Sequence, residues 1–153
     1  MIEIVAPDYS VTTPKSLIKI FVAGGITDCP DWQREFVNYF KYVGNVVLYN
    51  PRREDFDIKN PDISREQIDW EYAKLKEADY IVFWFPEETL CPITLYELGK
   101  AVGQNKLIAV GTHPNYKRRF DVVHQVGLAK STVKVVDSVS ELAYCAMIDL
   151  GII

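Results

Sequence analysis

The chain has 153 residues, 48% apolar and 25% charged, with a net charge of −4 and a pI near 5.2. That length suits one domain with one core, and the acidic balance argues against a binder of duplex nucleic acid while still allowing a small anion held by a local basic cluster. No apolar run approaches the roughly 20 residues a membrane helix needs, Met1-Ile2-Glu3-Ile4 does not read as a signal peptide, and three widely spaced cysteines (Cys29, Cys91, Cys145) give no zinc pattern and no disulfide framework, so a cytoplasmic protein is expected.

Residues 1–16 are polar and broken by Pro7 and Pro14, and read as an arm leading into a domain spanning residues 17–153. Leu17-Ile18-Lys19-Ile20-Phe21-Val22-Ala23 is apolar enough for a strand buried on both faces, and Gly24-Gly25 ends it. Asp28 or Asp31 caps a helix from about Trp32 to Tyr42, with Phe36, Val37, Phe40 and Val43 as its apolar stripe. Asn45 to Tyr49 is a second strand, followed by a loop from Asn50 to Pro61 that carries Arg52-Arg53. Ser64 with Gln67 forms a capping box for the next helix, with Ile68, Tyr72 and Leu75 inward. Tyr80 to Phe85 is the most apolar strand and is expected at the centre of the sheet.

A loop with Cys91-Pro92 opens the next helix, which carries Glu97 and ends near Val102, with Leu95, Leu98 and Val102 as its core stripe. Leu107 to Gly111 is a fourth strand, and Lys117-Arg118-Arg119 follows in a polar loop. A weak helix precedes a fifth strand at Thr132 to Val136, and Ser138 with Glu141 caps a final helix to about Leu150. Apolar strands alternating with helices predict a five-stranded parallel sheet covered on both faces, an α/β fold of the flavodoxin or Rossmann kind with strand order 2-1-3-4-5. Gly24-Gly25 and the loop from Pro86 to Pro92 then face one crevice beyond the carboxyl ends of the strands, where such folds bind ligands.

Several residues can carry chemistry at that edge. Gly24-Gly25 lets backbone approach a ligand, although it serves a tight turn equally well and is no dinucleotide fingerprint. Glu97 lies beside the core stripe of its helix; partial desolvation there would raise its pKa and suit nucleophilic or acid/base work. Asp79 precedes the central strand. Asp69 and Glu71 read as solvated helix positions, but a helix turning Trp70 and Asp69 toward the crevice would give a reason for both. Arg52-Arg53 and Arg118-Arg119 lie on loops that reach the ligand edge and suit a phosphate or carboxylate. Trp32, Trp84, Phe85 and Tyr96 are base-stacking candidates that more often belong to a core. His113 and His124 have no nucleophile beside them.

Taken in order, Ile20-Phe21-Val22-Ala23-Gly24-Gly25-Ile26, Tyr49-Asn50-Pro51-Arg52-Arg53, Gln67-Ile68-Asp69-Trp70-Glu71, Ala78-Asp79-Tyr80-Ile81-Val82-Phe83-Trp84 and Leu95-Tyr96-Glu97-Leu98-Gly99 resemble the nucleoside 2-deoxyribosyltransferase-like superfamily, from about Leu17 to Val136. The resemblance implies cleavage of an N-glycosidic bond, with Glu97 as the nucleophile that forms a glycosyl-enzyme intermediate and Asp79 positioning a group or moving a proton. The residues placed at the ligand edge lead to an expected substrate site drawn from Gly24, Gly25, Arg52, Arg53, Asp69, Trp70 and Cys91, with no cofactor or metal. Phe21 stands where typical members carry a Tyr, and Cys91 where they carry an Asp. Hydrolysis of a nucleotide or modified nucleoside is therefore expected on the same footing as transfer. The alternative is a non-catalytic domain that binds a nucleotide or a nucleotide-derived signal. The apolar last helix (Leu142, Tyr144, Ala146, Met147, Ile148, Leu150) leads to the expectation of at least a homodimer.

Overall fold

A computed structural model describes residues 1–54 and 59–153. The part of the Asn50–Pro61 loop at 55–58 lies outside the described residues. The elements in chain order are β1 (Ile2–Val5), β2 (Ile18–Gly24), α1 (Trp32–Tyr39), β3 (Val46–Asn50), α2 (Pro61–Glu77), β4 (Tyr80–Phe85), α3 (Pro92–Gly103), β5 (Leu107–Thr112), α4 (Arg119–Ala129), β6 (Val135–Val136) and α5 (Val139–Asp149). One sheet runs in the order β1-β3-β2-β4-β5-β6, and every pair is parallel.

The five expected strands keep their 2-1-3-4-5 order, and β4 is buried along its whole length between β2 and β5. The sixth strand is the difference. Residues 2–5, read from the sequence as part of an irregular arm, pair with β3 at the sheet edge. Only Ile4 of that strand is fully buried. Glu3 ties it down by accepting from Asn50 Nδ2 at 2.8 Å and pairing with Arg34 at 2.8 Å. A four-residue edge strand with a single core side chain leaves too short a pattern to read.

Two apolar layers sandwich the sheet. On one face α2, α3 and α4 place Trp70, Leu98, Ala101, Val122 and Val126 against Phe21, Tyr49, Phe83 and Phe85. On the other, α1 and α5 place Trp32, Phe36, Leu142 and Ala146 against Ile20, Val22, Leu48 and Val82. The apolar side of α5 is therefore the inside of the second layer: Leu142, Ala143 and Ala146 are buried, and only Tyr144 and Ile148 are left substantially exposed. Of the apolar surface behind the expected dimer, Leu142 and Ala146 are spent within the chain, and Tyr144, Ile148 and Ile153 remain exposed.

Helix α2 departs most from its sequence reading. Its N-cap is Asn60, whose side chain accepts from Asp62 N and Ile63 N, with Pro61 at the first helical position. Ser64 lies inside the helix rather than at its start. Its buried residues are Gln67 and Trp70, whereas Ile68 and Tyr72 are more than half exposed. The helix is thus rotated from the expected stripe, with the indole of Trp70 taking the core position. That rotation also brings Gln67 and Glu71 toward the carboxyl ends of the strands.

Candidate active site

The carboxyl ends of β2 and β3, the loop after β4, and the first halves of α2 and α3 enclose a cavity of about 430 Å³. Its wall includes Phe21, Ala23, Gly24, Gly25, Ile26 and Thr27 from β2 and the loop after it. Pro51 and Arg53 come from the loop after β3, and Ser64, Gln67, Ile68 and Glu71 from α2. Thr89, Cys91, Ile93, Thr94 and Glu97 complete it from the start of α3. A concave, mainly apolar site with a few convergent polar groups has the form of a small-molecule pocket.

The glycines explain how the wall comes so close. A Cβ on Gly24 would meet the Trp32 ring at 2.3 Å and the Trp84 carbonyl oxygen at 2.5 Å, and one on Gly25 would meet Pro86 Cγ at 2.8 Å and Cys91 Sγ at 2.9 Å. Both positions require glycine for packing, and both face the cavity. Cys91 adopts a left-handed backbone at φ 49, uncommon for a residue with a side chain, as it starts α3. Burial pushes its thiol up to about 12, so it remains a neutral apolar wall group at neutral pH.

Glu97 is half-buried on the α3 side, next to Thr94 and Ala101, which are buried. It also borders a second, smaller cavity of about 120 Å³ with Tyr72, Leu75, Ile81 and Lys100. The carboxyl is raised from 4.5 to about 8, chiefly by burial and next by the charge of Glu71, with Lys100 opposing the shift. Lys100 is partly engaged elsewhere, its ammonium lying 4.3 Å from the centre of the Tyr72 ring. Glu71, on the α2 side, is also raised, chiefly by burial, against the hydrogen bond that Gln67 Nε2 donates to its Oε1 at 2.7 Å. Two carboxyls that share one poorly hydrated cavity cannot both ionise cheaply, so the pair retains a proton near neutral pH.

Glu71 is the functional group that the sequence reading misses. It reads as a solvated helix residue because the stripe assigned to α2 was Ile68-Tyr72-Leu75. The available signal was Trp70: an indole demands the core, and placing it there turns its neighbours at 67 and 71 to the crevice.

Four of the residues expected at the site are elsewhere. Asp79 sits at the opposite, amino end of the sheet, where its Oδ2 accepts from Lys19 N at 2.9 Å, so a role in proton transfer at the cavity does not fit. Trp70 is fully buried, donates from its indole to the Asp8 carbonyl at 3.0 Å and packs on Phe21 and Tyr49. Asp69 is exposed and does not line the cavity. Arg52 is a structural clamp. Its guanidinium donates to the carbonyls of Ile26, Cys29 and Pro30 and to Gln33 Oε1 at 2.9–3.2 Å, and pairs with Asp31. Its Nε and Nη2 donors hold the β2–α1 loop.

Gly24, Gly25, Arg53, Cys91 and Glu97 do meet at the cavity. Arg53 also pairs with Glu66 at 2.9 Å. Arg118 and Arg119 pair with Asp121 and Asp137 beside α4, away from the cavity. Trp32, Trp84 and Phe85 are core residues, and Tyr96 is exposed outside the pocket wall. His113 lies 3.6 Å from Glu87 in the loop after β5, and His124 stacks on Phe120 along α4.

Comparison with known proteins adds three findings. Residues 17–116, which contain the entire cavity wall, match a family model described as nucleoside 2-deoxyribosyltransferase like. A search of curated proteins finds no match. Among solved structures, this chain is similar to a conserved protein from Enterococcus faecalis V583, with a TM-score of 0.62 and 17% identity over 84% of this chain and 96% of that one. At that identity the likeness concerns the fold.

Proposed function

The chain belongs to the nucleoside 2-deoxyribosyltransferase-like family, and from that premise we propose that it cleaves or transfers the N-glycosidic bond of a nucleoside or nucleotide, with Glu97 as nucleophile and Glu71 as proton donor to the leaving base. The observation that carries this reading is the pair itself: two carboxyls from separate helices, Glu97 and Glu71, on one cavity with both pKa values raised.

The chemistry asks for two different states of one functional group. Glu97, raised to about 8, holds a proton at neutral pH, so the reactive arrangement is the minor one in which Glu97 is ionised and Glu71 holds the proton of the pair. A Glu97 oxygen forms a bond to the anomeric carbon as the bond from that carbon to the base nitrogen breaks. The bond electrons go to the base, and the proton of Glu71 follows them. Lys100 supports the charge on Glu97, and that carboxylate stabilises the developing oxocarbenium charge. In the second half-reaction Glu71, now ionised, takes a proton from water or from an incoming base as that group displaces Glu97. Water gives hydrolysis and a second base gives transfer.

Phe21 and Cys91 shape which of these occurs. Both are buried apolar wall residues where the family pattern carries polar groups. With fewer hydrogen bonds to position an acceptor, hydrolysis is the simpler outcome. The test is incubation with a panel of nucleosides and 5′-monophosphates, with and without a second free base, followed by chromatography. Release of free base supports the reading, and a base-exchanged nucleoside identifies transfer. Ligand binding without any turnover would instead favour the binding-domain alternative, in which a neutral Glu97 only donates a hydrogen bond.

A further inference from the structure

Gln67 has an unfinished set of hydrogen bonds. It is 5% exposed and lines the cavity one helical turn before Glu71. Its amide nitrogen donates twice, to the Pro51 carbonyl at 2.8 Å and to Glu71 Oε1 at 2.7 Å. A proline carbonyl can only accept, so the amide cannot be turned over without breaking that bond. The oxygen, Oε1, is thereby fixed on the other side, where it is buried and has no donor. A buried acceptor left unpaired is costly, and one in the wall of a ligand cavity calls for a donor that arrives with the ligand.

We infer that Gln67 reads the leaving base: its Oε1 accepts an N–H from an exocyclic amine beside the ring nitrogen that Glu71 protonates. This rests on the N-glycosidic reading of the same site. The placement follows from the amide itself. Oxygen and nitrogen of one amide are roughly 2.3 Å apart, so Oε1 lies within about 5 Å of the Glu71 oxygen that its nitrogen holds. A ring nitrogen reached by Glu71 therefore brings the neighbouring substituent of the base toward Gln67.

The substituent decides the fit. Adenine presents an acceptor nitrogen beside an amine on its outer edge, whereas guanine and hypoxanthine present an acceptor nitrogen beside a carbonyl oxygen. An amine completes Gln67, but a carbonyl would set acceptor against acceptor. Cytosine and uracil differ at the same substituent, but uracil also carries a hydrogen on the neighbouring ring nitrogen, so adenine against hypoxanthine isolates the contact to Gln67. Gln67 cannot rotate to offer its nitrogen, because Pro51 and Glu71 hold both N–H groups. The site is thus built for amino-bearing bases and against their oxo counterparts.

The test compares 2′-deoxyadenosine with 2′-deoxyinosine, and 2′-deoxycytidine with 2′-deoxyuridine, as nucleosides and as 5′-monophosphates. The proteins are the full chain and its Gln67→Leu and Gln67→Met variants. The wild type is expected to favour the amino member of a pair by roughly tenfold or more in kcat/KM. In the variants the adenine-to-hypoxanthine ratio should fall toward one, because they lose the acceptor, while the cytosine-to-uracil ratio should fall but keep the part set by protonation of the ring nitrogen. A purely structural role for Gln67 would lower both members of a pair equally and leave the ratio intact, which overturns the inference. The wild-type ratio stands by itself if the variants prove unfolded by circular dichroism: a value near one, or an oxo preference, also overturns it. Base release from none of the eight compounds would instead sink the N-glycosidic reading and this inference with it.

Discussion

Glu71 of α2 and Glu97 of α3 line one cavity, and the charge of Glu71 bears on Glu97: it is, after burial, the cause that lifts Glu97 to about 8. The two helices that deliver them are otherwise ordinary layers over a parallel sheet. What sets them apart is that both carboxyls are largely desolvated and that, among the described residues, neither is held in an ion pair.

Removing the proton donor should slow the reaction in a way that depends on the base. Glu71→Gln keeps the shape of the side chain but cannot give up a proton. Turnover of an ordinary nucleoside should fall by about 10²–10⁴-fold. A nucleoside whose base leaves readily without protonation should lose far less. Steady-state rates on both substrates check this, and equal losses would remove Glu71 from the proton path.

The same pair should shape the pH profile of the rate. The reaction needs one proton on the pair, with Glu97 ionised. Activity should fall at low pH as the pair takes up its second proton, and fall again toward alkaline pH as it gives up its last. In Glu71→Gln the alkaline fall should disappear. Plots of kcat/KM against pH for the two proteins test the assignment.

Stability should respond to pH with the opposite sign from a salt-bridged carboxylate. The folded pKa of Glu97, about 8, lies above its ordinary 4.5. Between these values the folded state binds more protons than the unfolded state, so stability falls as pH rises from about 5 through about 8 and then levels off. Glu97→Gln removes the cost of that buried charge. Its Tm should exceed that of the wild type at about pH 8.5 by roughly 4–10 °C, an order-of-magnitude figure for about 2–3 kcal/mol in a chain of this size. At about pH 5 the two should melt together. Thermal melts at both pH values read the difference directly.

The two adjacent arginines should separate. Arg52 holds three loop carbonyls and Gln33, so Arg52→Ala should lower Tm and raise KM for a nucleoside and its 5′-monophosphate alike. Arg53 lies in the cavity wall. If the substrate carries a 5′-phosphate, Arg53→Ala should raise KM for the nucleotide much more than for the nucleoside. The paired KM ratios of the two variants decide it.

Much of the fold was legible because its signals are long and repeated. Five apolar strands separated by helical stretches define a doubly covered parallel sheet, and β4, apolar at all six positions, had to be central. β1 was not legible, because one buried Ile4 between two polar-facing neighbours makes no pattern. At the site, Glu97 and the two glycines were readable from their place after strands. Glu71 and Gln67 were hidden by a plausible but wrong stripe on α2, where Ile68 and Tyr72 compete with Trp70 for the core and the larger indole takes it. Arg52 was misread for a different reason. Its sequence position suits an anion, but its hydrogen bonds run to backbone carbonyls of a loop folded around it, and no local pattern announces such a partner.

The central claim is that Glu97 becomes covalently attached to the sugar. Incubation of the wild type with a 2-deoxy-2-fluoro nucleoside analogue slows breakdown of the intermediate relative to its formation, so the ester should accumulate. Mass spectrometry should then find the fluorinated sugar added to the intact chain and, after digestion, to the peptide containing Glu97, with no addition in Glu97→Gln. Turnover of substrate by an unlabelled wild type, or a label on any other residue, would contradict the account.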